Sequence, residues 1–402
     1  MSKLGNELMS LTTSENKELK VPERLDILEG LAMVVAQSSQ PREQAIQAMH
    51  HMSSPAAQFL LSVEKMSMSS RNRNVEQACF ALDSLVVLLR YGKPADRNIP
   101  HFMIPVMQHV FPAFPHVISI YSDVPRVIER VAKIIKDMIR GFEAHFDSFL
   151  APTLELLVRG YQNQPTSSFM YAAGIAAASY ASDPKYTPLF LQMIQAFCTK
   201  TFEVLNSVES FTDNPLIVED LFTMLDRSLK VMPLALVPNP VFGSVFQCAC
   251  VGSVVEHPEA SHALLLFVEN ALLIGVHRRH RAELRPFVEQ AISQAQGGQL
   301  LVNNIIAGIA GQLPTTLLYS GSDGSLEMAL DAICQFVESD ENLMLMLRTA
   351  LQSPGCAHVN STLETWFIAN LIKARKEKNQ GEFRRIVGEF SDRARLRLNR
   401  KL

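Results

Sequence analysis

Apolar residues recur at helical spacing along almost the whole chain. In the stretch 126–140, RVIERVAKIIKDMIR, a rotation of about 100° per residue gathers Val127, Ile128, Val131, Ile134, Ile135, Met138 and Ile139 on one arc. Arg126, Arg130, Lys133, Lys136 and Arg140 fall on an opposite arc of roughly 120°. The same period marks helices over 22–38 and 74–91, the second closed by Gly92 and Pro94. A helix ending at Ser53-Ser54-Pro55 and another starting at Pro55 read as separate elements, and Pro105, Pro112 and Pro115 interrupt the pattern of 100–121. Beyond the basic-striped helix, which Gly141 is expected to stop, helices are predicted over 142–160, 165–180, 188–208, 215–232, 242–255 and 259–276. The pattern then continues over 285–296, 299–311, 325–338, 342–352, 362–376 and 382–398. Alternating apolar and polar runs bounded by hairpin turns are absent, so the fold class is all-α.

These helices come in pairs, with proline at many of their starts and about 40 residues to a pair, the period of HEAT or armadillo repeats. Eight to ten such pairs fill residues 1–402 as a single α-solenoid array, expected to be a right-handed stack. A basic helix over 381–398 closes it. Its apolar stripe, Phe383, Ile386, Val387 and Phe390, is expected to dock on Trp366 and its neighbours.

Composition supports one architecture. With 48% hydrophobic and 19% charged residues, and no Pro-, Ser- or charge-rich linker, the 402 residues have ample material for a continuous core. Six cysteines are scattered, mostly in apolar runs, which fits free thiols in a reducing compartment. No signal-peptide pattern and no apolar run long enough for a membrane span are present, so the chain reads as soluble and intracellular. The net charge of −3 is uneven: eleven Lys and Arg against four Asp and Glu lie in 371–402, a basic end on an acidic body.

Catalytic chemistry finds no constellation. Cys248-x-Cys250 lacks partners at zinc spacing, and His50-His51 lies within an ordinary helix. The HRRH run at 277–280 reads as a solvated connection, and GSDG at 321–324 lacks the strand and Lys-Ser/Thr of a phosphate loop. No enzyme activity, metal or cofactor is expected. The basic stripe is therefore the candidate site, with Arg126, Arg130, Lys133, Lys136 and Arg140 as its residues. Glu129 and Asp137 fall on or beside the arc, reduce its charge from five to about three and offer i,i+3 and i,i+4 pairs, so a merely solvated helix face stays open.

Read together, several segments carry a resemblance: LDILEGLAMVVAQ near the start, RVIERVAKIIKDMIR, DNPLIVEDLFTMLDRSLKVMP at 213–233, GGQLLVNNII at 297–306 and GEFRRIVGEFSDRAR at 381–395. Their order is similar to the C-terminal half of the transportin-SR group of karyopherin-β (importin-β-type) nuclear import receptors, with the importin-13 group a near relation. The resemblance covers essentially the whole chain. It implies a receptor that shuttles between cytoplasm and nucleus, passes the nuclear pore and binds serine/arginine-rich, phosphorylated splicing proteins. It further implies that the basic stripe lines a concave face and holds cargo phosphates, with no direct contact to nucleic acid or membrane. The family has arginine where this chain has Lys133 and Lys136, which exchanges a planar bidentate fork for a point charge. Family members run to more than twice this length, and their N-terminal repeats bind the GTPase Ran, which ejects cargo. Nothing in these residues corresponds to that half, so a fragment, or a cargo binder without its own release switch, is expected. Nucleoporins are further partners the resemblance implies. The competing reading is a HEAT-repeat scaffold that joins protein partners and has no part in transport.

Overall fold

A computed structural model describes residues 3–12, 19–38, 40–96, 98–277, 279–294, 298–318 and 326–400. The chain is all-α, and no strand occurs among the described residues. The GSDG turn lies outside them. Contacts divide the chain into two compact units, Met1–Ser179 and Tyr180–Leu402.

The first unit contains α1 (Lys3–Leu11), α2 (Val21–Gln37), α3 (Arg42–Ser62), α4 (Met68–Arg71), α5 (Val75–Tyr91), α6 (Ile104–Val110), α7 (Phe114–Ile120), α8 (Pro125–Phe142), α9 (Asp147–Asn163) and α10 (Ser167–Tyr180). Helix α5 is its centre, packed against α2 and α3 on one side and α8 on the other. The basic-striped segment forms α8 as its period requires, and the whole apolar arc is buried: Val127, Ile128, Val131, Ile134, Ile135, Met138 and Ile139. The proline-rich stretch is broken, as expected, into α6, a 3₁₀ turn Phe111–Ala113 and α7.

Two sequence expectations fail for physical reasons. Helix α3 runs unbroken through Pro55, because that residue lies on the exposed face while Met52, Ser53, Ala56 and Ala57 stay buried on the other. The His51 carbonyl that proline leaves without an N–H donor therefore faces water, and packing carries the helix across. Nor does Gly141 stop α8, which continues to Phe142. A Cβ at Gly141 would stand 3.0 Å from Cδ2 of His101, so this glycine makes room for the ring of a neighbouring segment.

The second unit contains α11 (Thr187–Val204), α12 (Val208–Asp213), α13 (Pro215–Val231), α14 (Pro233–Leu236), α15 (Pro240–Gly252), α16 (Pro258–Ile274), α17 (Arg281–Gln294), α18 (Gln299–Ala307), α19 (Leu326–Phe336), α20 (Asp340–Leu351), α21 (Ser361–Glu377) and α22 (Gln380–Asn399). Helix α16 packs between α13 and α19, and α22 lies along α21. Phe383, Ile386, Val387 and Phe390 are all buried, Phe390 stacks on Phe367 at 4.0 Å, and Arg393 lies 4.4 Å over Trp366. After α18 the chain widens into a π-type turn, Gly308–Gln312, in which Gly311 has φ 126°. Its carbonyls go to side chains. Arg395 Nη2 donates to Gly308 O and Leu313 O (3.2 and 2.7 Å), Ser391 Oγ to Ile309 O (2.7 Å) and His358 Nε2 to Ala310 O (2.8 Å). A widened turn frees backbone acceptors, and α22 supplies most of the donors that satisfy them.

Candidate functional site

Helices α5 and α8 run parallel and are tied by three ion pairs along their length. Arg126 Nη1 meets Glu76 Oε1 at 2.6 Å, Arg130 Nε meets Asp83 Oδ2 at 2.8 Å, and Arg90 Nε meets Asp137 Oδ2 at 2.8 Å. Glu76, Asp83 and Arg90 are seven residues apart, two helical turns each, so they form one row along α5. Parallel packing sets that row beside the polar edge of α8.

The five predicted residues thus do not share one environment. Arg126 is exposed but paired. Arg130 is half-buried, bonded to Asp83, and its Nη1 donates to the Arg126 carbonyl at 2.8 Å. Lys133 and Arg140 are exposed, Lys136 is half-buried, and none of these three makes a hydrogen bond or ion pair among the described residues. The Lys136 ammonium is held below the usual lysine range by burial first, with Arg90, Arg140 and Lys133 adding repulsion against the pull of Asp137. Asp137, which the sequence pattern sets on or beside the basic arc, is buried at 8% exposure and belongs to the interhelix contact. Arg90 is a member of this surface that sequence reasoning missed. The signal available for it was the acid-acid-base row at positions 76, 83 and 90 on an amphipathic helix.

The end of α8 is held by His101. Its Nε2–H donates to Leu89 O at 2.9 Å, its Nδ1 accepts from the Met103 N–H at 3.1 Å, and its ring packs edge-on against Phe142 at 5.3 Å. Burial pushes this histidine down to about 4, so it is neutral at physiological pH. Lys93, beyond the end of α5, pairs with Glu143 just after α8 at 2.8 Å.

No group of three His, Cys, Asp or Glu residues suited to a metal occurs among the described residues. Burial raises the thiols, Cys248 and Cys250 each to about 12, which leaves them unreactive at neutral pH. No described helix is long and apolar enough to cross a membrane. A groove of about 450 Å³ between α7 and α9 and a cavity of about 300 Å³ bounded by Phe246, Leu272, Val302, Ile333 and Met346 are mainly apolar and lie away from the free cations.

Residues 101–205, which contain α8, match the family described as the Transportin-3/Importin-13 fourth TPR domain. Transportin MOS14 of Arabidopsis thaliana is 23% identical over 344 residues, covering 85% of this chain and 35% of its own. Human importin-13 is 23% identical over 299 residues, covering 73% of this chain and 29% of its own. The chain spans about a third of the length of these curated relatives. A solved structure of importin-13 in its cytosolic state superposes with a TM-score of 0.75 at 15% identity, covering 96% of this chain and 42% of that one. This likeness shows the fold, a helical solenoid. The named relatives are importins and a transportin rather than enzymes.

Proposed function

We propose that this chain is the cargo-holding module of a karyopherin-β nuclear transport receptor and that α8 grips a phosphorylated serine/arginine-rich segment. The observation that carries the reading is the construction of α8 itself. Its apolar arc is spent wholly on the core, which leaves Arg126, Arg130, Lys133, Lys136 and Arg140 on the opposite arc, the last three without a hydrogen bond or ion pair among the described residues, within the segment that matches the Transportin-3/Importin-13 family. Phosphoryl groups are the anions such a face suits best, since each brings nearly two charges and three acceptor oxygens. Shuttling between cytoplasm and nucleus, release by Ran and contact with nucleoporins belong on this reading to the whole receptor.

The test compares three peptides on the intact chain: a phosphorylated Arg-Ser repeat, its unphosphorylated form and a glutamate-rich control. Selective binding of the first is the expected result. Equal binding of the phosphorylated and glutamate-rich peptides points instead to a helical scaffold with a docking face for acidic proteins. The Glu76–Arg126 and Asp83–Arg130 pairs favour that second reading, because they show carboxylates already seated on part of the stripe.

A further inference from the structure

Charge along the outer edge of α8 changes sign halfway. Around its N-terminal half, two guanidiniums, Arg126 and Arg130, face three carboxylates, Glu76, Asp83 and the exposed Glu129. Around its C-terminal half, five cations, Arg90, Lys93, Lys133, Lys136 and Arg140, face two carboxylates, Asp137 and, just past the helix end and paired with Lys93, Glu143. We propose that the C-terminal half of α8, completed by Arg90 of α5, is the anion seat, while Glu76 and Asp83 act as resident anions that hold Arg126 and Arg130 until a phosphorylated peptide displaces them. The proposal rests on the cargo reading above and divides its site into a ready part and a blocked part.

Three observations support the division. Lys133, Lys136 and Arg140 stand at i, i+3 and i+7, a row about 10 Å long on one face. An extended peptide places alternate residues about 7 Å apart on one side, so this row, flanked by Arg90, accommodates two phosphoserines of an alternating repeat. The crowding is also unrelieved: Lys136 sits half-buried among three other cations with one opposing carboxylate, and an arriving phosphate removes that repulsion. At the other half the reverse holds. Arg130 and Asp83 are each only about a quarter exposed (26% and 23%), so a ligand that takes Arg130 must strip an existing ion pair and leave a poorly hydrated carboxylate behind. Arg126 and Arg130 therefore add little net affinity, although they lie in the same helical arc. Arg90 is 44% exposed against 26% for Arg130, and it differs from both Arg126 and Arg130 in its partner, since Asp137 is buried beneath it.

The experiment uses the full chain at fixed ionic strength, with a peptide of four Arg-Ser dipeptides phosphorylated on every serine and, separately, inorganic tripolyphosphate. Lys133→Gln with Arg140→Gln is expected to weaken both ligands about tenfold or more, whereas Arg126→Gln changes either by no more than about twofold. Glu76→Gln, at an exposed pair that the fold does not depend on, is expected to tighten both by about threefold, and Asp83→Asn by more, with melting curves confirming that each variant is folded. Equal losses from Arg126→Gln and from Arg140→Gln, or no gain from Glu76→Gln and Asp83→Asn in folded protein, overturn the division and leave the cargo reading standing. Failure of the peptide to bind while tripolyphosphate follows the predicted order overturns the cargo reading and supports the seat. If the parent protein binds neither, both are wrong.

Discussion

Arg90 and Asp137 meet at 2.8 Å with the polarity of their contact reversed relative to the two ion pairs above it. Along the α5–α8 seam the first two carboxylates come from α5, and the third comes from α8. The consequences for stability are unequal, because Asp137 is buried while Arg90 is nearly half exposed. Removal of the arginine strands a buried carboxylate; removal of the carboxylate returns the arginine to water.

Arg90→Ala is accordingly expected to destabilise the fold by roughly 2 kcal/mol, less than the 3–5 of a fully buried broken pair because solvent already screens the arginine. Asp137→Asn is expected to cost about 1 kcal/mol. The double variant should be more stable than Arg90→Ala alone, since it no longer contains an unpaired buried charge. A double-mutant cycle read by denaturant unfolding checks this, and strict additivity of the two single effects refutes it.

His101 predicts a pH dependence. Its folded-state value of about 4 lies below the ordinary value near 6.5, so the unfolded chain takes up the proton more readily. The contribution of this site is therefore fully present above pH 6.5 and is lost as pH falls from 6.5 towards 4, by on the order of 3 kcal/mol if the whole shift is realised. Protonation at Nδ1 also takes away the acceptor used by the Met103 N–H. His101→Gln should lower stability at pH 7 and flatten its decline between pH 6.5 and 4 relative to the parent. Parallel curves for the two proteins exclude His101 as the titrating group.

The difference between what the sequence showed and what it hid follows from the range of the interactions. The apolar arc of α8, the ends of α5 and the break at Pro112 were legible because each is fixed by residues within a few turns of one another. The fate of the five cations was not. Glu76, Asp83 and Arg90 precede their partners by 47 to 50 residues, and the register between two parallel helices is not written in the period of either one. Asp137 lies at the border of polar and apolar arcs, where only the neighbouring helix decides its burial. Gly141 and Pro55 misled for a related reason. Each is a local breaker in isolation, but the ring of His101 explains the first and an exposed position on α3 accommodates the second.

The basic C-terminal helix carries a prediction of its own. Ser391 and Arg395 donate to carbonyls of the π-type turn, and Phe390 stacks on Phe367, so α22 is tied into the fold through buried groups despite its many cations. Ser391→Ala leaves the Ile309 carbonyl without this donor in a buried setting and is expected to cost about 1–2 kcal/mol. Removal of the residues after Gly381 should expose Phe367 and raise amide exchange across 308–313, while anion binding on the first unit changes little. A truncated protein with native exchange in that turn but weakened phosphopeptide binding reverses the assignment and makes α22 a contact for ligand.

The stripe itself requires a choice of substitution that the sequence alone would get wrong. Arg130 and Lys133 lie near the middle of the arc, and by position they are the natural pair to reverse to glutamate with the expectation of an unchanged fold. The structure contradicts that expectation for Arg130: a glutamate there would face Asp83 across a half-buried contact between α5 and α8, and two carboxylates in that place repel. Arg130→Glu with Lys133→Glu should thus lower the unfolding midpoint and ligand affinity together, so that the loss of binding cannot be assigned. Lys133→Glu with Arg140→Glu touches only exposed, unpaired cations and changes helix propensity little, so the midpoint should hold while phosphopeptide binding is abolished. Binding by the parent should also weaken steeply as salt rises from low to physiological strength, because the contacts at Lys133 and Arg140 are open to solvent. Stability of the fold, which rests on the buried arc of α8, should barely follow. If Lys133→Glu with Arg140→Glu leaves a folded protein that binds phosphorylated Arg-Ser peptide as tightly as the parent, these cations serve only to keep the helix face in water.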